Sequence, residues 1–176
     1  WPLTRAQVAV DETLLEQGPP TRCRSIRVVV PNGSSVLSFT PKLDFDVGTP
    51  ASLVMLANLR PQKAHPVLFR ALDLLRSRGV ATATDLLGAP SDQGYVAACQ
   101  TQLEELEMTE AVRFVGSCGN VHEVLADYDL GVLTATTESG PVALIEYLAA
   151  GLPFVVTDVG NVTRSLPPRL RRWVVE

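Results

Sequence analysis

The 176-residue sequence is poor in cysteine, methionine, histidine and aromatic side chains: three Cys, two Met, two His and 6% Phe, Trp and Tyr. Cys23, Cys99 and Cys118 are odd in number, widely spaced and form no CxxC pair, which excludes a disulfide framework or a cysteine zinc site and leaves reduced, packing thiols. His65 and His122 lack metal-ligand spacing and read as structural. No stretch of about 18 apolar residues occurs, so no helix is expected to span a bilayer. Fifteen Lys and Arg against 19 Asp and Glu give a net charge of −4. That balance argues against nucleic acid or an anionic membrane as the main partner, so any basic site must be local. GxGxxG, GxxxxGKS/T and GxSxG are all absent, which removes the simplest dinucleotide, Walker and α/β-hydrolase readings. Trp1 to Arg5 carry neither an initiator methionine nor a signal-peptide pattern, and the expectation is a chain that begins inside a longer protein.

What is present points to one globular unit, since 46% of residues are hydrophobic and 19% charged. From Ile26 onward, apolar bursts alternate with helical stretches. Ile26 to Val30 reads as a strand closed by Pro31-Asn32-Gly33, and Leu53 to Ala57 as a second strand. Val67, Leu68, Ala71, Leu72 and Leu75 recur at helical spacing up to Gly79, and Val80 to Leu87 reads as another strand. An amphipathic helix over Tyr95 to Met108 precedes a strand at Val112 to Val115. There follow a short helix at Val121 to Leu125, a strand at Leu130 to Leu133, a helix at Val142 to Ala150 and a strand at Phe154 to Thr157. Such alternation, with nearly continuous apolar strands, predicts a doubly wound parallel sheet of Rossmann-like α/β type. Residues 1–25 are expected to be the tail of a preceding domain, with a helix over Gln7 to Glu16 and a linker at Gly18-Pro19-Pro20; residues 26–176 form the domain itself.

In a doubly wound sheet, ligands sit at the carboxyl ends of the strands. Two candidate loops stand there. Glu138-Ser139-Gly140-Pro141 leads into the helix, with Ser139 as its expected cap, Pro141 in its first turn and Gly151 as its stop. Every residue from Val142 to Ala150 is apolar except Glu146, so a carboxylate stands in a helix that otherwise asks for burial all round. Glu146 either pairs with an arginine or neighbouring loop, or accepts hydrogen bonds from ligand hydroxyls. The helix N-terminus offers N–H groups to an anion. The second loop, Asn58 to His65, holds Arg60 and Lys63 where two cations could close on a diphosphate, or could form a solvated basic loop. Gly116 ends a strand, and Ser117-Cys118-Gly119-Asn120 could bring backbone close to a flat base.

Taken in order, these segments resemble the C-terminal, donor-binding half of a family-4 (group 1) glycosyltransferase of GT-B type. The resemblance rests on Val28 to Gly33, Leu56 to Lys63, Leu86-Leu87-Gly88, Val112 to Gly116, Asp127 to Leu133, and Glu138 to Glu146 with its E-x7-E spacing, closing at Ala150 to Gly160. It implies that Glu138 contacts hydroxyls of the donor sugar and that the backbone of Ser139, Gly140, Pro141 and Val142 holds the diphosphate. Glu146 would accept from the ribose, with Asn58, Gly116 and Val121 also at the donor. Lys63, helped by Arg60, would stabilise charge on the departing nucleoside diphosphate. Asn58 stands where many relatives carry arginine, and Ala64 where they carry glycine. The resemblance further implies a retaining hexosyl transfer from a UDP-, GDP- or ADP-linked sugar, with no cofactor and no divalent metal. The saccharide or lipid-linked acceptor would be held by an absent amino-terminal half, without which this piece would bind the donor poorly and transfer little. A cytoplasmic location follows, any contact with the membrane periphery being made through that other half. The rival readings are a binding or scaffold module that has lost transfer, and a nucleotide-sugar epimerase.

Overall fold

A computed structural model describes residues 6–9, 16, 26–30, 32–33 and 50–176. Strands β1 (Ala6–Ala9) and β2 (Ile26–Val29) pair in parallel, Ala6 opposite Ile26 and Ala9 opposite Val29, as a separate two-stranded sheet. The helix expected over Gln7 to Glu16 is therefore corrected at Gln7, Val8 and Ala9. Local preference there is weak, and pairing with the β-branched Ile26–Val29 segment outweighs it. Gly18-Pro19-Pro20 and Cys23 lie outside the described residues.

The main sheet has six parallel strands in the order β5-β4-β3-β6-β7-β8. They are β3 (Ala51–Leu56), β4 (Thr82–Leu87), β5 (Val112–Gly116), β6 (Leu130–Leu133), β7 (Phe154–Thr157) and β8 (Val174–Val175). Helices α1 (His65–Ser77), α2 (Gln93–Glu105), α3 (Val121–Leu125), α4 (Val142–Ala149), α5 (Gly160–Ser165) and α6 (Pro168–Arg171) connect them. The chain builds outward from β3 through β4 to β5, then returns to add β6 on the other side of β3. Right-handed crossovers put the helices before and after that reversal on opposite faces, with α1 against α2 and α3 against α4. The point between β3 and β6 where the winding reverses is where such sheets open a crevice. Elements α5, α6 and β8 have no counterpart in the sequence reading, because pieces of six, four and two residues hold too little periodicity to recognise.

Val54, Met55, Phe69, Leu86, Cys99, Leu144, Tyr147 and Val156 are wholly enclosed and form the centre of the core. Cys99 thus packs as expected, and burial pushes its thiol pKa up. Helix α4 is less enclosed than its composition suggests: Ala143, Leu144 and Tyr147 are buried, while Val142 is 45% exposed. Tyr147 lies across Gly131, where an added Cβ would stand 2.7 Å from the ring, so only glycine permits this packing. Its hydroxyl accepts from the Leu56 N–H at 2.8 Å and donates to the Val132 carbonyl at 3.1 Å. That pair of bonds fixes the rotation of α4 against β3 and β6. Among the described residues, no helix is long and apolar enough to cross a membrane.

Candidate functional site

A cavity of about 470 Å³ opens at the carboxyl ends of β3, β4 and β5, facing the start of α4. Its wall includes Asn58, Arg60, Lys63, Val121, Glu138, Gly140, Val142 and Glu146 from the sequence-based candidates, together with Leu56, Ala57, Leu87, Gly88, Ser117, Cys118 and Ala143. Gly116, Ser139 and Pro141 lie beside this wall rather than on it. The carboxyl ends of β3 and β4 can meet closely because residue 88 is glycine: a Cβ there would stand 2.1 Å from the Ala57 carbonyl oxygen.

Lys63 ends a single 3₁₀ turn, Pro61–Lys63, which Ala64 closes in the left-handed conformation at φ 49° and ψ 44°. The Thr134 hydroxyl lies 3.1 Å from the carbonyl oxygens of both Lys63 and Ala64, and the Thr136 N–H donates to the Gln62 carbonyl at 2.9 Å. The turn after β3 is thereby tied to the loop after β6. Lys63 Nζ meets Glu138 Oε1 in an ion pair whose side chains are 12% and 14% exposed. Arg60 is exposed and makes no ion pair among the described residues. Asn58 uses its side-chain oxygen to accept from the Ala89 N–H at 2.9 Å, so it clamps the β3 and β4 loops together besides lining the cavity.

Ser139 does not cap α4. Pro141 occupies the N-cap position and no side chain caps the helix. The preceding loop is held from outside instead: the Asn161 N–H donates to the Ser139 carbonyl at 3.3 Å, and Asn32 Nδ2 donates to the Gly140 carbonyl at 2.8 Å. These tertiary bonds determine the loop's path where a local serine cap was expected. The helix does stop as expected, with Gly151 at φ 65° after the Ala150 C-cap.

Glu146 sits one turn into α4, on the cavity wall, and meets His122 Nε2 at 3.1 Å. A histidine from α3 is therefore one of its partners. A single histidine with no ligand spacing gives no local signal, and only packing of α3 against α4 brings His122 to Glu146. The other histidine, His65, is fully buried at the start of α1, beside Lys63, and its backbone N–H donates to the Tyr95 hydroxyl at 2.9 Å. Burial drives its pKa down to about 4, against a hydrogen bond to the Ala57 backbone and with help from the Lys63 charge. Its ring is neutral at pH 7, so it adds no repulsion next to Lys63. Among the described residues, no cluster of His, Cys, Asp and Glu could hold a metal ion.

The arrangement joins a lysine, two carboxylates and an uncapped helix start around one cavity at the winding reversal of a parallel sheet. The family of glycosyl transferases group 1 matches residues 44–176, most of the chain. The chain belongs to the group 1 glycosyl transferases. EpsF of Bacillus subtilis strain 168, named as a glycosyltransferase, is 27% identical over 127 residues, covering 66% of this chain and 32% of that protein. WcaL of Escherichia coli K12, named for a glycosyltransferase of colanic acid biosynthesis, is 26% identical over 151 residues, covering 81% of this chain and 36% of that protein. The chain thus spans about a third of the length of these relatives. The solved structure of Anabaena Alr3699/HepE in complex with UDP and glucose superposes with a TM-score of 0.73 at 20% identity, covering 91% of this chain and 46% of that one. The fold of this group 1 chain is accordingly the Rossmann-like half of a GT-B architecture.

Proposed function

We propose that this chain is the donor-binding half of a retaining hexosyltransferase that takes a nucleoside diphosphate sugar. Glu138 accepts from hydroxyls of the sugar, and Glu146 from the ribose. Backbone N–H groups of Ser139, Gly140 and Val142 face the diphosphate, Gly116 and Val121 flank the base, and Lys63 with Arg60 completes the charge. When the bond between the sugar's anomeric carbon and the β-phosphate oxygen breaks, negative charge collects on phosphate oxygens. Cations and amides already aimed at that point lower the barrier without reorganising. This reading assigns the leaving-group charge to protein groups and calls for no divalent cation. The acceptor, a saccharide or lipid-linked sugar, lies on a partner half outside this chain, in the cytoplasm or at its membrane periphery.

The observation that carries the reading is the enclosure of Lys63, Glu138 and Glu146 in one cavity. That HepE was solved with UDP and glucose supports a donor of this class. Calorimetric titration of the chain with UDP, GDP and ADP tests it, with binding of at least one expected and unchanged by EDTA. A folded chain that binds none of them refutes it. A scaffold module without transfer is favoured by one detail, the commitment of Asn58 to Ala89 where many relatives carry arginine. Sugar release from a donor by the protein together with its acceptor half excludes that alternative.

A further inference from the structure

We propose that Glu138 is a specificity-determining residue that competes with the diphosphate for Lys63, so that a bare nucleoside diphosphate is held less tightly than the cavity's cations would otherwise hold it. The inference rests on the reading of the cavity as a nucleoside diphosphate sugar site. Lys63 and Glu138 both line that cavity, and Lys63 Nζ meets Glu138 Oε1 with the two side chains 12% and 14% exposed. Among the described residues, no other side chain pairs with either charge. An ammonium has several N–H groups and can donate to a carboxylate and a phosphate together, but its single positive charge is then divided between two anions.

The ion pair is not needed to hold its two loops together. The Thr136 N–H donates to the Gln62 carbonyl at 2.9 Å, and the Thr134 hydroxyl lies 3.1 Å from the Lys63 carbonyl oxygen, which already joins the turn after β3 to the loop after β6. The Glu138 backbone is pinned separately: Gly160 approaches so closely that a Cβ there would stand 2.9 Å from the Glu138 carbonyl oxygen. With both backbones held, the side chains start from neighbouring points, and what a ligand changes is the partner each one has. A diphosphate draws on Lys63 and returns nothing to Glu138, since both are acceptors. A sugar attached to that diphosphate brings hydroxyl donors, which replace what the carboxylate loses. The pair therefore favours the complete donor over the nucleoside diphosphate left after transfer, and eases release of that product. A purely structural pair would be indifferent to whether a sugar is attached.

The test titrates whichever of UDP, GDP and ADP binds the chain most tightly, and the glucose conjugate of that nucleotide, into the parent, Glu138→Gln, Lys63→Ala and the double variant. Gln keeps the shape of the side chain and removes its charge, so Glu138→Gln should tighten the bare nucleotide about 10-fold. Glu138→Ala should tighten it likewise, so that the result does not hang on the folding of one variant. In the Lys63→Ala chain the same change from Glu to Gln should give only about 2-fold, the part owed to direct repulsion between carboxylate and phosphate. The glucose conjugate should gain less from Glu138→Gln than the bare nucleotide does, because its hydroxyls lose an acceptor. Unchanged or weaker binding of the bare nucleotide in both Glu138 variants, equal tightening with and without Lys63, or an equal gain for the conjugate overturns the inference and leaves the reading of the cavity standing. If the parent binds no nucleoside diphosphate, the reading and the inference fall together.

Discussion

Asp85 and the pair Glu138 and Glu146 are all carboxylates withdrawn from solvent, with side chains 7%, 14% and 15% exposed, yet their surroundings differ in kind. Asp85, on β4, is closed in by protein. Arg113 approaches it with Nε at 2.7 Å and Nη2 at 2.6 Å, and the Tyr128 hydroxyl donates at 2.7 Å. Burial raises its pKa, but the hydrogen bonds from Arg113 and Tyr128 outweigh that and hold the carboxyl below its ordinary value. Glu138 meets Lys63 and Glu146 meets His122, and both carboxylates also line the cavity. A carboxylate whose acceptor positions are filled by its own chain serves the fold, while one on a cavity wall stands where a ligand can reach it.

The comparison can be broken by substituting on each side of it. The largest effect expected on stability is for Asp85→Ala, which removes charged hydrogen bonds from a buried strand. Urea unfolding should show a loss of about 3 kcal/mol, while titration shows nucleoside diphosphate affinity unaltered. Lys63→Ala should do the reverse, weakening diphosphate binding by about 1.5–3 kcal/mol. Equal affinity in the mutant and the parent would remove Lys63 from the site.

A pH titration sharpens the same contrast, because His65 stands under the Lys63 turn. Its ring is neutral in the folded state down to about pH 4, whereas in the unfolded chain it takes up a proton near 6.5. The unfolded state therefore binds more protons between those values, and stability falls as the pH is lowered through that window. The loss by pH 5 is roughly 2 kcal/mol, read as the difference in unfolding free energy from pH 7.5, and a His65→Phe variant should lack that component. The smallest effect concerns Ala64, which holds φ 49° without being glycine. Ala64→Gly should raise the melting temperature, by relief of about 1 kcal/mol of backbone strain, with no change in the Lys63–Glu138 contact.

Legibility varied along the chain for identifiable reasons. Leu130–Leu133 and Phe154–Thr157 match their expected limits, because a short apolar run bounded by polar or Gly-Pro residues leaves little choice of ends. Gly79 and Gly151 mark helix stops and adopt positive φ as such stops require. Ser139 misled because its local sequence suits a cap, while Asn161 and Asn32, from elsewhere in the chain, take hold of that loop. The strand at Ala6–Ala9 misled for a similar reason, since its partner lies at Ile26–Val29. Within the site, the spacing of Glu138 and Glu146 and the Arg60-Pro61-Gln62-Lys63 loop stood out because both follow apolar strands, and the fold brings them to one wall.

By itself the sequence determined the strand and helix alternation, hence a parallel sheet wound on both sides, and it set charged residues at the carboxyl ends of strands where such sheets open. Periodicity and turn residues act over a few positions, so they are readable without coordinates. Which partner each charge meets was decided only by tertiary structure. Lys63 and Glu138 are 75 residues apart, and His122 reaches Glu146 only because α3 packs on α4. Contacts of that range depend on strand order and on how far each helix is rotated, here governed by Tyr147 against Gly131, and no local pattern encodes them.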